Sequence, residues 1–261
     1  MDVAALPKER QKFILNRLQN TGRVIAAEIA AEVGATEDTV RRDLRHLAKE
    51  GLCQRVYGGA LTIHKISTPL HVREDENRDR KRRLALRAVQ LLRTGDVVFI
   101  DAGSTNTEIA RLLPDNLNLR VITNAPAVAN AILGRSGIEV DIIGGHLDRT
   151  TGGSLGARAV SEVRSIRPSI CFPGICALDS ELGLTAFDPE DAFMKANIIA
   201  SSARVVAVAT REKIATCAPY VVSAADKITD LVVEAGVEED TLTAYAKIGL
   251  AIQVVDGLKD E

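Results

Sequence analysis

The sequence predicts an α/β protein in two unequal parts: a small helical domain closed by a β-hairpin, then a larger α/β domain with a mostly parallel sheet. Three observations predict it. The 261 residues exceed what one small domain takes and come close to two moderate ones. The patterning changes character near residue 65, where short charged helical segments give way to longer apolar runs. From residue 95 onward, β-branched runs alternate with Ala- and Leu-rich helical ones, which implies crossover connections and a parallel sheet covered on both faces.

The elements follow in order. Segment 8–20 carries Phe13, Ile14 and Leu18 at helical spacing and stops before Thr21-Gly22. A short Ala-rich helix over 25–33 is closed by Gly34, which suits a left-handed cap. Thr36 can N-cap a third helix, with Glu37 and Asp38 in the first turn complementing its dipole. That helix runs to Glu50 and stops at Gly51. LCQRVY, then Gly58-Gly59, then ALTI read as two short strands around a glycine turn. Helix, helix, turn, helix, hairpin is the order of a winged helix-turn-helix, assigned to 1–62.

Residues 63–78, with Pro69 and little apolar pattern, read as a linker. The larger domain, 79–261, opens with a helix over 79–92 in which Leu84, Leu86 and Val89 follow a dense basic start at Arg80, Lys81, Arg82 and Arg83. Strands are expected at 96–100, 120–123, 139–143, 169–172, 204–209, 231–233 and 252–254. Helices are expected at 107–113, 126–133, 156–166, 189–202 and 238–248. In such a sheet, ligands sit beyond the carboxyl ends of the strands.

Composition narrows the function. Lys+Arg 33 against Asp+Glu 35 gives a net charge of −2, so nucleic-acid contact must come from a local patch rather than bulk charge. Beyond position 60 the acidic residues outnumber the basic ones, against a nucleoid-type nonspecific binder. No window approaches the ~18 uninterrupted apolar residues of a membrane span, and the start lacks an apolar signal core, so a cytoplasmic protein with no membrane partner is expected. Cys53, Cys171, Cys176 and Cys217 fall at no zinc, haem or redox spacing, and are expected to be reduced and mostly packed, with no metal or cofactor. With no Trp and 3% aromatic residues, base-stacking platforms for single strands are disfavoured and small polar ligands fit better.

On the third helix Val40, Leu44 and Leu47 form one apolar stripe. At about 100° per residue, Asp38, Arg42, Arg45 and Lys49 fall opposite, flanked by Thr39 and Arg41. An apolar back and a basic front suit a helix that docks on a small core and enters the major groove, where guanidinium groups reach guanine edges or clamp phosphates. Arg55, beside Gly58 and Gly59, adds a cation to the thin hairpin. A solvated helix face is the bland alternative for the helix alone; the helix-turn-helix-wing order favours duplex DNA.

The runs ERQKFIL at 9–15, TVRRDLR at 39–45 and EGLCQRVYGGA at 50–60 resemble the N-terminal region of DeoR-family bacterial transcriptional regulators. The resemblance places Thr36, Thr39, Arg41, Arg42 and Arg45 on the family's recognition helix. Tyr57 departs from it, since the family commonly has His before the paired glycines.

The larger domain carries a second constellation. Asp101, Gly103, Ser104, Thr105, Asn106 and Thr107 lie between an apolar strand and a helix. Hydroxyl side chains and a glycine at a helix N-terminus form an anion site from free backbone amides and a favourable dipole end. A plain capped turn needs only one Ser or Thr. Polar or glycine clusters also end neighbouring strands: Thr123-Asn124, Gly144-Gly145, and the stretch from Thr150 through Thr151 to Gly156. The loop 146–155 reads as a flap or as a long turn. Lys195 and Lys213 could each supply a positive charge, although a lone Lys is more usually a surface solubiliser.

The runs FIDAGSTNTEIARLL, VITNAPAVANAIL, DIIGG and LGLT are similar to the DeoR-family effector domain, so the resemblance spans essentially the whole chain. It implies a fold akin to sugar-phosphate isomerases and CoA-transferases, a phosphorylated sugar or related anionic metabolite as effector, and roles for Lys195 and Lys213 in the site. Three positions depart from the family pattern: Ser169 precedes the ICFPG run, Cys176-Ala177 replaces an acid-glycine pair, and the stretch 209–213 keeps Lys213 without its Asp. The reading is a DNA-binding repressor of a carbohydrate operon, an even-numbered homo-oligomer (dimer or tetramer) on operator DNA. The alternative is a sugar-phosphate isomerase with an accessory N-terminal module. Isomerisation needs a positioned general base, which Cys176-Ala177 does not supply, so no enzyme activity is expected.

Overall fold

Helices α1 (Pro7–Thr21), α2 (Ala26–Val33) and α3 (Glu37–Lys49) close on one core of Ile14, Leu18, Ile29, Val33, Val40, Leu44 and Leu47. Each such buried side chain contributes about 1.5–3 kcal/mol. The computed structural model describes residues 6–21, 23–63 and 68–256. Gly22, residues 64–67 of the expected linker, and the outer ends of the two expected domains (1–5 and 257–261) lie outside the described residues. Gly34 caps α2 in the left-handed conformation at φ 64°, as expected. Thr36 caps α3, its Oγ1 accepting from the Thr39 amide at 3.3 Å.

Two details of this domain differ from expectation. Ile25 is extended rather than helical. Strand β1 (Arg23–Ile25) joins β2 (Cys53–Val56) and β3 (Gly59–Ile63) in an antiparallel sheet with β3 in the middle. Three β-like residues were too few to register as a strand beside an Ala-rich helix. The hairpin turn is Tyr57-Gly58, not Gly58-Gly59. Gly59 is buried inside β3, where a Cβ would meet the Val24 carbonyl oxygen at 1.9 Å, so only glycine admits β1 there.

The segment expected to be a linker contains helix α4 (Leu70–Asp75), which packs on the larger domain through the buried Leu70. Helix α5 (Arg78–Val89) follows. Part of its basic start is engaged: Arg80 pairs with Glu212 and Glu234, Arg78 pairs with Glu108, and the buried Lys81 donates to the carbonyls of Arg73 and Glu76, while Arg82 is exposed.

The remaining chain runs β4 (Val97–Ile100), α6 (Ser104–Arg111), β5 (Leu119–Thr123), α7 (Pro126–Ile132), β6 (Ile138–Ile142), β7 (His146–Leu147), β8 (Ser154–Leu155), α8 (Ala157–Arg164) and β9 (Ile170–Phe172). Then come β10 (Ala177–Asp179), β11 (Gly183–Ala186), α9 (Pro189–Ser201), β12 (Val206–Ala209), β13 (Thr216–Cys217), β14 (Tyr220–Ser223), β15 (Asp230–Glu234), α10 (Glu239–Lys247) and β16 (Ala251–Val255). Parallel pairing gives the orders β6-β5-β4-β9 and β12-β15-β16. A parallel bridge between Cys171 and Val205 joins them, with the Cys171 amide donating to the Arg204 carbonyl at 2.8 Å. All seven strands expected for the parallel sheet are present.

Alternate residues of these strands serve two cores. Ile100, Phe172, Val206 and Val232 pack with Leu84 of α5, while Phe99, Cys171 and Leu231 pack with Ile198 of α9 and Tyr245 of α10. Apolar residues on both faces are what a covered parallel sheet requires. An antiparallel annex, β10-β11-β14, sits beside the sheet. The two parts of the molecule are sewn together by β13, which pairs in parallel with the end of β3 (Thr62 with Thr216, Ile63 with Cys217).

Candidate functional site

Two surfaces collect the polar residues singled out by the sequence. The first is the exposed face of α3. At 1.5 Å per residue its 13 residues span about 20 Å, enough to lie along a major groove. Arg41, Arg42 and Arg45 are exposed and, among the described residues, engaged only in surface ion pairs: Arg41 with Glu37, Arg42 with Asp38 at 3.2 Å and Arg45 with Asp38 at 3.7 Å. Pairs of this kind are worth roughly 0.2–1 kcal/mol, so DNA phosphates can displace the carboxylates. Thr39 shares a hydroxyl contact with Thr36 at 2.9 Å at the helix entrance.

The helix is held from behind. The buried Asp43 carboxylate accepts from Arg10 Nε at 2.5 Å and Gln11 Nε2 at 3.0 Å, clamping α3 to α1. The sequence reading passed over Asp43; its place next to the apolar stripe is the signal. Arg55 is exposed on β2, and Tyr57, 97% exposed, forms the wing tip with Gly58. The buried Gly59 faces β1 rather than the tip, so its part is to seat the wing.

The second surface is a cavity of about 260 Å³ at the carboxyl ends of β4 and β9. Gly103, Ser104, Thr105 and Asn106 form its floor at the N-terminus of α6, joined by Thr151 from the β7–β8 hairpin and by Lys195 and Lys213. Asn106 Nδ2 donates to the carbonyls of Asp101 (2.9 Å) and Phe172 (2.8 Å), fixing the turn between strand and helix. Thr105 lines the cavity, while its hydroxyl oxygen is buried and has no hydrogen-bond partner among the described residues.

Lys195 belongs to a buried charge cluster at the cavity wall. Lys195, 2% exposed, pairs with Asp191 and lies 3.2 Å from Asp101, whose Oδ2 also accepts from the Gly174 amide at 2.8 Å. Burial opposes the Lys195 charge, but the two carboxylates outweigh it and hold the ammonium above its usual pKa; burial drives Asp191 upward. Lys213 differs. It is half-buried, donates to the Ile175 carbonyl at 2.7 Å and has no carboxylate within ion-pair distance among the described residues. Burial, reinforced by the Arg73 guanidinium, brings its pKa down to about 8.

Several expected ligand residues stand elsewhere. Thr107 donates to Glu74 of α4 at 3.1 Å and to the Gly103 carbonyl. Thr123 ties strand ends together, its hydroxyl donating to the Ile100 carbonyl and accepting from the Ala125 amide. Asn124, Gly144, Gly145 and Gly156 do not line the cavity; Asn124 reaches the Ser154 carbonyl at 3.5 Å, and Gly156 caps α8. Loop 146–155 is a hairpin whose turn is held by Asp148 Oδ1, which accepts from the Thr150 and Thr151 amides. The cavity also includes Arg73, Asp148, Cys176 and Asp188, which the sequence reading did not assign. Only the Cys176 departure from the family pattern pointed there.

All four cysteines are free, and burial raises Cys53 to about 11 and Cys171 and Cys217 to about 12. Among the described residues no group of three or more His, Cys, Asp or Glu could hold a metal ion, and no helix is long and apolar enough to cross a membrane.

Comparison with known proteins yields matches over both parts. Residues 10–66 match the DeoR-like helix-turn-helix domain and residues 76–235 the DeoR C terminal sensor domain. The HTH-type transcriptional regulator GlpR of Haloferax volcanii is 31% identical over 97% of this chain and 99% of its own. The glycerol-3-phosphate regulon repressor of Escherichia coli K12 is 30% identical over 78% of this chain and 82% of its own. Ribose 5-phosphate isomerase A of Methanocaldococcus jannaschii covers 51% of this chain and 52% of its own at a TM-score of 0.37 and 16% identity, too partial an overlap to bear on function.

Proposed function

The chain belongs to the DeoR family of helix-turn-helix transcriptional regulators, and from that premise we infer that it is a repressor of a carbohydrate or polyol-phosphate operon, released or recruited by a small phosphorylated metabolite. The operator is double-stranded DNA, read by Arg41, Arg42 and Arg45 from the front of α3, with Arg55 and Tyr57 of the wing on the backbone. The effector's phosphate sits at the amino end of α6 on the amides and hydroxyls of Ser104 and Thr105, with Lys213 as its cation, and its hydroxyls face Asp148 and Asp188. The observation that carries this reading is a cavity at the amino end of α6, lined by Ser104, Thr105 and Asn106 together with Lys213, which has no carboxylate within ion-pair distance among the described residues.

Catalysis is not part of this function. Lys195, the most buried amine, is held charged between Asp101 and Asp191 and is no proton acceptor at neutral pH. Symmetric operators suit an even-numbered homo-oligomer acting in the cytoplasm.

The test is division of labour. Arg42→Ala should weaken binding to a duplex selected from random sequences while thermal stabilisation by phosphorylated sugars persists; Ser104→Ala with Thr105→Ala should do the reverse. Both variants losing both activities while still folded would refute the two-site reading.

A further inference from the structure

The cavity has one wall that does not come from the larger domain proper. Arg73 lies on α4, in the segment joining the two parts, and still lines the cavity. Its hydrogen bonds go to backbone carbonyls, from Nε to Thr68 and from Nη2 to Thr150, each at 3.0 Å, and it has no ion pair with a carboxylate among the described residues. A guanidinium offers five donors in a fixed fork, so those two bonds leave donors for an oxyanion. Burial lowers its pKa, and a guanidinium is a cation throughout the ordinary pH range.

Helix α4 is fastened to the cavity's other walls. Leu70 packs so closely on Gly152 of the β7–β8 hairpin that a Cβ there would meet Leu70 Cδ2 at 2.1 Å, and Glu74 accepts from Thr107 of α6. From Lys213, also on the cavity lining, the chain reaches β13 three residues later. Thr216 Oγ1 donates to the Lys213 carbonyl at 2.8 Å, and Ala215 between them holds a left-handed φ of 53°. Thr216 and Cys217 then pair with Thr62 and Ile63, and Arg23 of β1 reaches Glu181 at 3.5 Å. The Lys213 route ends on β3, whose last residues pair with β13.

We propose that Arg73 is an effector-binding residue and that, through it and Lys213, occupancy of the cavity is read by the DNA-binding domain at the β3–β13 seam. The proposal rests on the anion-site reading above. An anion drawn between Arg73 and Lys213 pulls on α4 and on the turn before β13 together, so the wing is held differently in the filled and empty protein.

The test uses the full chain with inorganic phosphate as probe, measuring affinity by calorimetry and hydrogen exchange in peptides covering 59–63 and 214–218. In the wild-type protein phosphate should change exchange in both peptides at least threefold. Arg73→Gln should weaken phosphate binding about tenfold or more and leave the seam peptides unresponsive even at saturation. Arg73→Lys should recover part of the affinity. Wild-type affinity in Arg73→Gln, or a full seam response at saturation, overturns the proposal while leaving the anion site standing, provided that Ser104→Ala with Thr105→Ala still abolishes binding. If Arg73→Gln does not fold, Arg73→Lys decides: affinity and seam response both equal to wild type overturn the proposal, since an ammonium cannot reproduce the fork. Phosphate that leaves the wild-type protein unaffected overturns the anion-site reading itself, and this proposal with it.

Discussion

Replacing Lys195 with methionine keeps the length and bulk of the side chain and removes only the charge that Asp101 and Asp191 share. All three residues are at most 2% exposed. The variant leaves two carboxylates buried together, with the Gly174 amide on one of them. Breaking a buried ion pair by removing one partner costs about 3–5 kcal/mol. For 150–250 residues each kcal/mol shifts Tm by about 2–4 °C, so the melting point at pH 7 should fall by about 6–20 °C. The loss should depend on pH. Burial already drives the Asp191 carboxyl upward, and without the ammonium nothing offsets it, so the folded state binds a proton there more tightly than the unfolded one. The destabilisation is then full above the folded pKa and relieved on acidification toward the unfolded value near 4. Thermal unfolding of variant and wild type at pH 5 and pH 8 measures both effects. A drop below about 2 °C, or the same drop at both pH values, would show that Lys195 is not the counter-ion of a buried cluster.

Other consequences follow from the same geometry. Arg42→Ala should lower duplex affinity and reduce the slope of log affinity against log salt by about one, measured by anisotropy titration across salt; an unchanged slope removes Arg42 from the phosphate contacts. Phosphate affinity should fall about tenfold per pH unit above 8, where Lys213 loses its charge, and the fall should vanish in Lys213→Met; a flat profile between pH 7 and 10 excludes Lys213 as a contact. Asp43→Ala should leave Arg10 buried without its partner and destabilise the N-terminal domain by about 3–5 kcal/mol, read as protease cleavage within 7–63 before the larger domain unfolds.

The sequence carried the elements that have strong periodicity. The parallel strands announced themselves as β-branched runs because both faces are buried, and α3 did so because Val40, Leu44 and Leu47 must share a stripe. What escaped was set by tertiary contact. Arg23–Ile25 becomes a strand only because Gly59 lets β1 approach β3. The β10-β11-β14 annex alternates too weakly to be read locally, and α4 is six residues long, held by Leu70 on Gly152 rather than by propensity. The site followed the same rule. Ser104, Thr105 and Lys213 were legible because hydroxyls after a strand and a lysine after another have a chemical meaning. Arg73 was not, because its place in the cavity depends on how a stretch that reads as linker folds back. Thr123 and Thr107 looked like ligand residues and instead tie strand ends and α4 in place.

The central claim is that an anion in the cavity changes how α3 holds DNA, and coupling measures it most directly. A duplex selected by the full chain from random sequences is titrated with protein in the presence and absence of each phosphorylated sugar or polyol that raises its melting temperature. At least one such compound should shift the duplex Kd by about 5- to 150-fold, and the duplex should shift that compound's own Kd by the same factor. A compound that fills the cavity, protects the protein from heat, and leaves the duplex Kd untouched would contradict the account.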